Sequence, residues 1–148
     1  MNRISCTNKL NDFLNEKVAF AFIFIDLDEF HLINDTFGHK EGDKVLQKVT
    51  ECLSSFQIPD MHLFREHDDQ FVMLIENITK ERVEVSKSIQ KKISEHFVIE
   101  EEDVYLSASI GIFGPSDGED VKYYFMLMLL WKKQKKKEKG IIIFMAMD

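Results

Sequence analysis

Cysteine, proline and tryptophan are scarce in this chain, and each scarcity excludes something. Two cysteines, Cys6 and Cys52, do not make a disulfide framework in 148 residues, so a reducing cytosol is the expected compartment. Two prolines and six glycines exclude a low-complexity chain. An apolar run long enough to cross a bilayer is also lacking: Val18–Ile25 is too short and ends on Asp26. The opening Met1–Lys17 is polar and has no apolar core of an export signal. The domain is therefore expected to be soluble and cytoplasmic, without membrane contact of its own. A cytosolic place within a larger, membrane-tethered protein stays open.

Positive charge is in deficit as well. Lys and Arg number 19 against 26 Asp and Glu, a net charge of −7. Six of the lysines fall in one run, Lys132 to Lys139, so residues 1–131 hold 13 basic and 24 acidic residues, a charge of −11. Such a body has no basic face for phosphates, which argues against a nucleic-acid partner. His31, His62, His67 and His96 do not form ligand spacing, and no zinc site is expected.

What is present is an ordinary globular composition, 45% hydrophobic and 30% charged, with thirteen Phe to build the core. Residues 4–16 have apolar side chains near helical spacing. Val18–Ile25 suits a strand buried on both faces. A short helix over Glu29–Phe37 ends at Gly38, and Lys40–Phe56 is an amphipathic helix with Val45, Leu46, Val49, Cys52 and Leu53 on one face. His62–Glu66 and Gln70–Glu76 read as two strands around a turn at His67-Asp68-Asp69. Thr79–His96 reads as a helix, Val104–Phe113 as an alternating strand, Val121–Lys137 as a lysine-rich helix and Ile141–Met145 as a short strand. This order predicts one α+β domain, with helices covering a largely antiparallel sheet.

Two acidic clusters stand where a hard cation binds. Asp26-Leu27-Asp28 ends the buried strand, and Asp68-Asp69 sits at the hairpin turn. Carboxylates so placed can converge on Mg²⁺, which suits phosphoryl or nucleotidyl transfer. A calcium hand counted from Asp26 fails, because Phe30, His31 and Phe37 fall at its fifth, sixth and twelfth positions. A haloacid-dehalogenase-type phosphatase would want a small hydroxyl residue at Phe30. A dinucleotide fold would want a glycine-rich turn after the strand.

The longer pattern is more specific. The stretch from Asp26 to Leu46, with Asp26, Asp28, Phe30, Ile33, Asn34, Asp35, Gly38, His39, Gly42, Asp43 and Leu46 in register, closely resembles the first signature of GGDEF domains, the diguanylate cyclases. Arg65 and His67-Asp68-Asp69-Gln70-Phe71 fall where that family has R-x-G-G-D/E-E-F. Ser109-Ile110-Gly111-Ile112 matches its S-x-G-I strand, and Asn2-Arg3 its N-R. The resemblance runs from residue 2 to about 122.

It implies a nucleotidyl-cyclase-like, ferredoxin-type palm: a central, mostly antiparallel sheet flanked by helices. It implies GTP as ligand, with Asn34 and Asp43 on the guanine edge and Phe30 and His31 at the nucleotide. Mg²⁺ or Mn²⁺ would be held by Asp26, the Leu27 carbonyl and Asp69. Asp69 would be the catalytic acidic residue near the attacking 3′-hydroxyl, two GTP-loaded domains facing each other to make cyclic di-GMP. A homodimer and a fused or separate sensor or phosphodiesterase domain are the implied partners. Simpler roles stand beside these: Phe30 and Phe71 as core, Asn34-Asp35 and Gly38 as helix ends, Asp43 as a first-turn carboxylate.

The departures from the family pattern fall on the catalytic end. His67 and Asp68 replace the two glycines, crowding a turn that glycine leaves open. Gln70 replaces the family's Glu, and His31 its phosphate-facing Lys, leaving a group that is mostly neutral at pH 7. Ile58 and Met61 occupy the positions of the family's product-inhibition R-x-x-D. Together these predict a catalytically impaired domain of cyclic di-GMP signalling that retains GTP binding, with an active cyclase and a non-binding dimerisation remnant as alternatives. Residues 123–148 depart from the family's ending, and a reading-frame shift in the gene would account for them.

Overall fold

A computed structural model of the chain describes residues 3–56, 58–67, 69–76, 82–95, 97–113, 129–130, 133 and 142–144. Its centre is the apolar run that follows Lys17. Strand β1 (Phe20–Leu27) is buried at every position. Its side chains alternate between the two faces of the sheet, as strand geometry requires. Ala21, Ile23, Ile25 and Leu27 join one core cluster, while Phe20, Phe22 and Phe24 join the other. A strand with helices over both faces has no solvent side, so its sequence is apolar without a polar alternation.

Helix α1 (Arg3–Asn15) packs Cys6, Leu10 and Phe13 into the Phe20–Phe22–Phe24 side. Helices α2 (Phe30–Phe37), α3 (His39–Ser54) and α4 (Arg82–Ile93) cover the other side. Strands β2 (Met61–His67) and β3 (Gln70–Glu76) form the hairpin, and β6 (Ala108–Phe113) lies on the other flank of β1. The five-stranded order is β2-β3-β1-β6-β7, where β7 (Ile142–Phe144) is an edge strand parallel to β6. The remaining neighbours are antiparallel. This is the expected α+β sheet with flanking helices. On β2, His62 stacks edge-on to Phe13 at 6.0 Å, and burial pushes its imidazole pKa down.

Several boundaries differ from the sequence reading. The first strand runs two residues beyond Ile25 and includes Asp26, because pairing with both neighbours continues there. The expected strand Val104–Phe113 is two elements. Residues 102–104 pair as β5 (Glu102–Val104) with β4 (Phe97–Ile99) in a separate two-stranded sheet, and β6 begins only at Ala108. Nor does β6 alternate: all six of its residues are buried, since Ala108, Ser109 and Gly111 are small enough to sit beneath covering elements. Of the expected Thr79–His96 helix, residues 82–95 are described, and α4 ends within them at Ile93. Of the lysine-rich helix, Leu129, Leu130 and Lys133 are helical, and the rest lies outside the described residues.

Candidate functional site

The end of β1 is fixed from both sides. In register, Asp26 stands opposite Gln70 of β3 and opposite Ser109 of β6. It is 8% exposed. Cross-strand partners share a face of the sheet, so Asp26 and Gln70 lie on the same side. The backbone N–H of Leu27 donates to the carbonyl oxygen of Asp69 at 3.0 Å. The hairpin turn is thereby tied to the residue after Asp26, and Asp69 is held at the strand end. The β2 strand bulges between Arg65 and His67, immediately before the turn. A bulge bends the strand and re-aims the side chains beside it. The side chain of His67 and the whole of Asp68 lie outside the described residues.

A second group gathers where α2 meets α3. Asn34, half-buried on α2, sets its side-chain amide against Gly42 of α3. A β-carbon at Gly42 would collide with Asn34 Oδ1, and would stand 3.1 Å from its Cγ and 3.4 Å from the Phe30 ring. Glycine at 42 is thus what lets Asn34 sit beside the backbone of Asp43. Gly38, with φ of +91°, makes the bend between the two helices and donates its N–H to the Asn34 carbonyl at 2.9 Å. A left-handed φ there favours glycine. Phe30 is 3% exposed and belongs to the core beneath this corner. Asp43 and His31 are exposed on α3 and α2. Asn34 and Asp43 are therefore brought to one corner. Asp26, Leu27 and Asp69 are brought to another, and α2 starts three residues after Leu27.

Asp28 takes a role that the sequence did not reveal. Its carboxylate accepts from the hydroxyls of Ser107 and Ser109, each at 2.6 Å. Its backbone N–H donates to the Ser107 carbonyl at 2.9 Å. Asp28 thus locks the exit of β1 onto the start of β6. The signal in the sequence is Ser107-Ala108-Ser109, two hydroxyls at strand spacing, but nothing local says which carboxylate they face.

The donors present suit one kind of metal binding. Among the described residues, no three of His, Cys, Asp and Glu gather into a cation cage. Where a third carboxylate would reinforce Asp26 in register, Gln70 offers a neutral amide. Mg²⁺ is commonly bound by one or two carboxylates together with substrate phosphates, keeping several waters. A cation arriving with a polyphosphate would draw on Asp26 and Asp69, whose backbones the strand register and the Leu27–Asp69 hydrogen bond bring to one strand end.

Residues 1–126 match the family model described as "Diguanylate cyclase, GGDEF domain". The chain is 32% identical over 124 residues to the bifunctional diguanylate cyclase/cyclic di-GMP phosphodiesterase MucR of Pseudomonas aeruginosa, covering 80% of this chain and 18% of that protein. It is 31% identical over 127 residues to the signaling protein YkoW of Bacillus subtilis, covering 80% of this chain and 16% of that one. It spans less than a fifth of the length of these two relatives. In fold it is similar to the Pseudomonas aeruginosa diguanylate cyclase SiaD, solved with its activator SiaC. The TM-score is 0.88 at 18% identity, covering 97% of this chain and 58% of that one.

Proposed function

This chain belongs to the GGDEF domain family, and from that premise we propose that it is a GTP-binding regulatory domain of cyclic di-GMP signalling with impaired cyclase chemistry. The observation that carries the reading is an asymmetry between its two corners. At the Asn34–Gly42–Asp43 corner the close contact of α2 with α3 sets an amide near an exposed carboxylate. The Asp26 corner faces Gln70 instead of a carboxylate.

At the first corner, the Asp43 carboxylate accepts the N–H donors of a guanine edge, and the Asn34 amide meets its acceptors. Guanine presents two adjacent donors, N1–H and the 2-amino group, beside the O6 acceptor, a pattern that a carboxylate and an amide together can meet. Phe30 backs Asn34 from the core. At the second corner, Asp26, the Leu27 carbonyl and Asp69 would hold Mg²⁺ with the phosphates. The metal would neutralise phosphate charge there. His31 stands where the family pattern has a lysine, and Gln70 adds no base or anion near a 3′-hydroxyl. Binding is supported by the first corner, and slow chemistry by the second. The homodimer, and any adjoining sensor or phosphodiesterase domain, belong to this reading as the route by which occupancy would be passed on.

Calorimetric titration of GTP with Mg²⁺, with the same sample assayed for cyclic di-GMP, tests it. The expected result is saturable binding without product. Asp43→Ala should weaken binding about tenfold to a hundredfold, the loss of a charge-assisted hydrogen bond pair at about 1.5–3 kcal/mol. Gly42→Ala should weaken it as well by displacing Asn34. Product formation would instead make this an active cyclase, and folded protein that neither binds nor reacts would make it a structural remnant.

A further inference from the structure

Helix α2 also borders an open cavity of about 220 Å³ whose lining includes neither Asn34 nor Asp43. Leu32, Ile33 and Phe37 of α2 form one wall, and Val104, Tyr105 and Leu106, leading from β5 toward β6, form the other. Its floor is core, but its rim is not covered. Leu32 is 47% exposed and Tyr105 is 77% exposed. Neither belongs to the nucleotide corner described above.

The two segments that wall the cavity, residues 26–38 and 97–113, carry formal charge of one sign. They contain no Lys or Arg. The first holds four carboxylates, at Asp26, Asp28, Glu29 and Asp35, and the second holds four in the run 100–103. The Glu100, Glu101, Glu102 and Asp103 side chains are exposed at the β4–β5 turn. Asp28 and Glu29 line the cavity itself, and Asp28 is engaged by Ser107 and Ser109.

Size and charge together select the occupant. The cavity is below the roughly 300–1,000 Å³ of ordinary small-molecule sites. Glu29 at the lining and the exposed carboxylates of the run 100–103 next to Val104 disfavour phosphate, which argues against a nucleotide, a nucleic acid and an anionic lipid surface. A bare metal ion would leave the apolar walls unused, and among the described residues no group of three ligands gathers to hold one. A single bulky side chain, flanked by cations, satisfies both features. Buried apolar anchors supply most of the affinity of such contacts, and opposite charge steers the encounter.

We infer that this groove docks a basic amphipathic segment of a partner protein, with a leucine or aromatic side chain seated between Leu32 and Tyr105 and lysines or arginines against the Glu100–Asp103 run. The contact is distinct from the guanine corner, and its test does not depend on GTP binding.

Fluorescence anisotropy with the intact chain reads the contact directly. The probe is a labelled peptide of Lys-Lys-Leu-Leu repeats, with Lys-Lys-Ser-Ser and Glu-Glu-Leu-Leu repeats as controls. The expected result is saturable binding of the first peptide at least tenfold tighter than of either control. Leu32→Ser with Tyr105→Ser should weaken it about tenfold or more. Glu100→Lys with Glu102→Lys should weaken it and flatten its dependence on salt. All four positions are exposed, and circular dichroism checks that the variants fold. Equal binding of the Lys-Ser peptide would reduce the site to unspecific acidity and overturn the proposal. Binding unaffected by the Leu32 and Tyr105 changes would overturn it too. So would concentration-dependent self-association that the Leu32→Ser change abolishes, since the groove would then belong to a second copy of this chain.

Discussion

Asp26 and Asp28 lie one residue apart and are equally buried, at 8% and 7% exposure, yet their surroundings differ. Asp28 has two serine hydroxyls and a backbone carbonyl around it. A carboxylate engaged in this way is a fastener, and its oxygens are committed to β6. Asp26 faces the hairpin end, where a neutral amide stands opposite. The difference is testable at the serines. Ser109 is fully buried, so Ser109→Ala removes a short hydrogen bond to an ion that water does not readily replace. The expected cost is about 1.5–3 kcal/mol in urea unfolding. Ser107 is exposed, and Ser107→Ala should cost clearly less, because solvent can take its place. Equal losses at both serines would mean that Asp28 is not held in the way described.

At the scale of elements, the β4–β5 hairpin departs most from local preference. Its two-residue turn has Glu100 at φ +51° and Glu101 at φ +69°. Paired left-handed positions are type I′ geometry, usually filled by Asn-Gly or Gly. A β-carbon in that region costs about 1–2 kcal/mol. Glu101→Gly should therefore raise the thermal midpoint by roughly 2–4 °C for each kcal/mol relieved. No change would mean that the turn is not tightly held. The same residues explain why this hairpin was not legible in the sequence: Ile99-Glu100-Glu101-Glu102 carries no turn residue, and three-residue strands carry no period. The long elements were legible, because β1 is a run of Phe and Ile and α3 has its apolar face at helical spacing. The GGDEF pattern was legible too, over the length at which the family model matches. The partners of the site residues were not. Nothing near Asn34 announces that its amide rests on Gly42, and nothing near Asp28 names Ser109, since both contacts are made by packing between distant or separately folded segments.

At the scale of the whole molecule, one sheet separates two cores that share their strands. Phe22 faces the α1 side, and Ile23, its neighbour, faces the side of α2, α3 and α4. Both are 0% exposed. Because β1 pairs with β3 along one flank and β6 along the other, neither core can come apart without stripping the strand that the other needs. Both corners of the candidate site hang from this strand or from the helices directly after it, so they should be lost together with it. A small domain so connected is expected to unfold as a single cooperative unit. Ile23→Val, trimming one side, should cost about 0.5–1.5 kcal/mol of unfolding free energy and lower the midpoint accordingly. Phe22→Leu, changing the other, should lower the same midpoint, with far-ultraviolet and near-ultraviolet circular dichroism tracing one coincident curve in both variants. Losses of this size leave the fold intact, since a domain has about 5–15 kcal/mol of stability. Two separate transitions, one moved by Ile23→Val and the other by Phe22→Leu, would show instead that the faces are independent. The Asn34–Asp43 corner, where α2 meets α3, would then melt while the α1 side stayed folded.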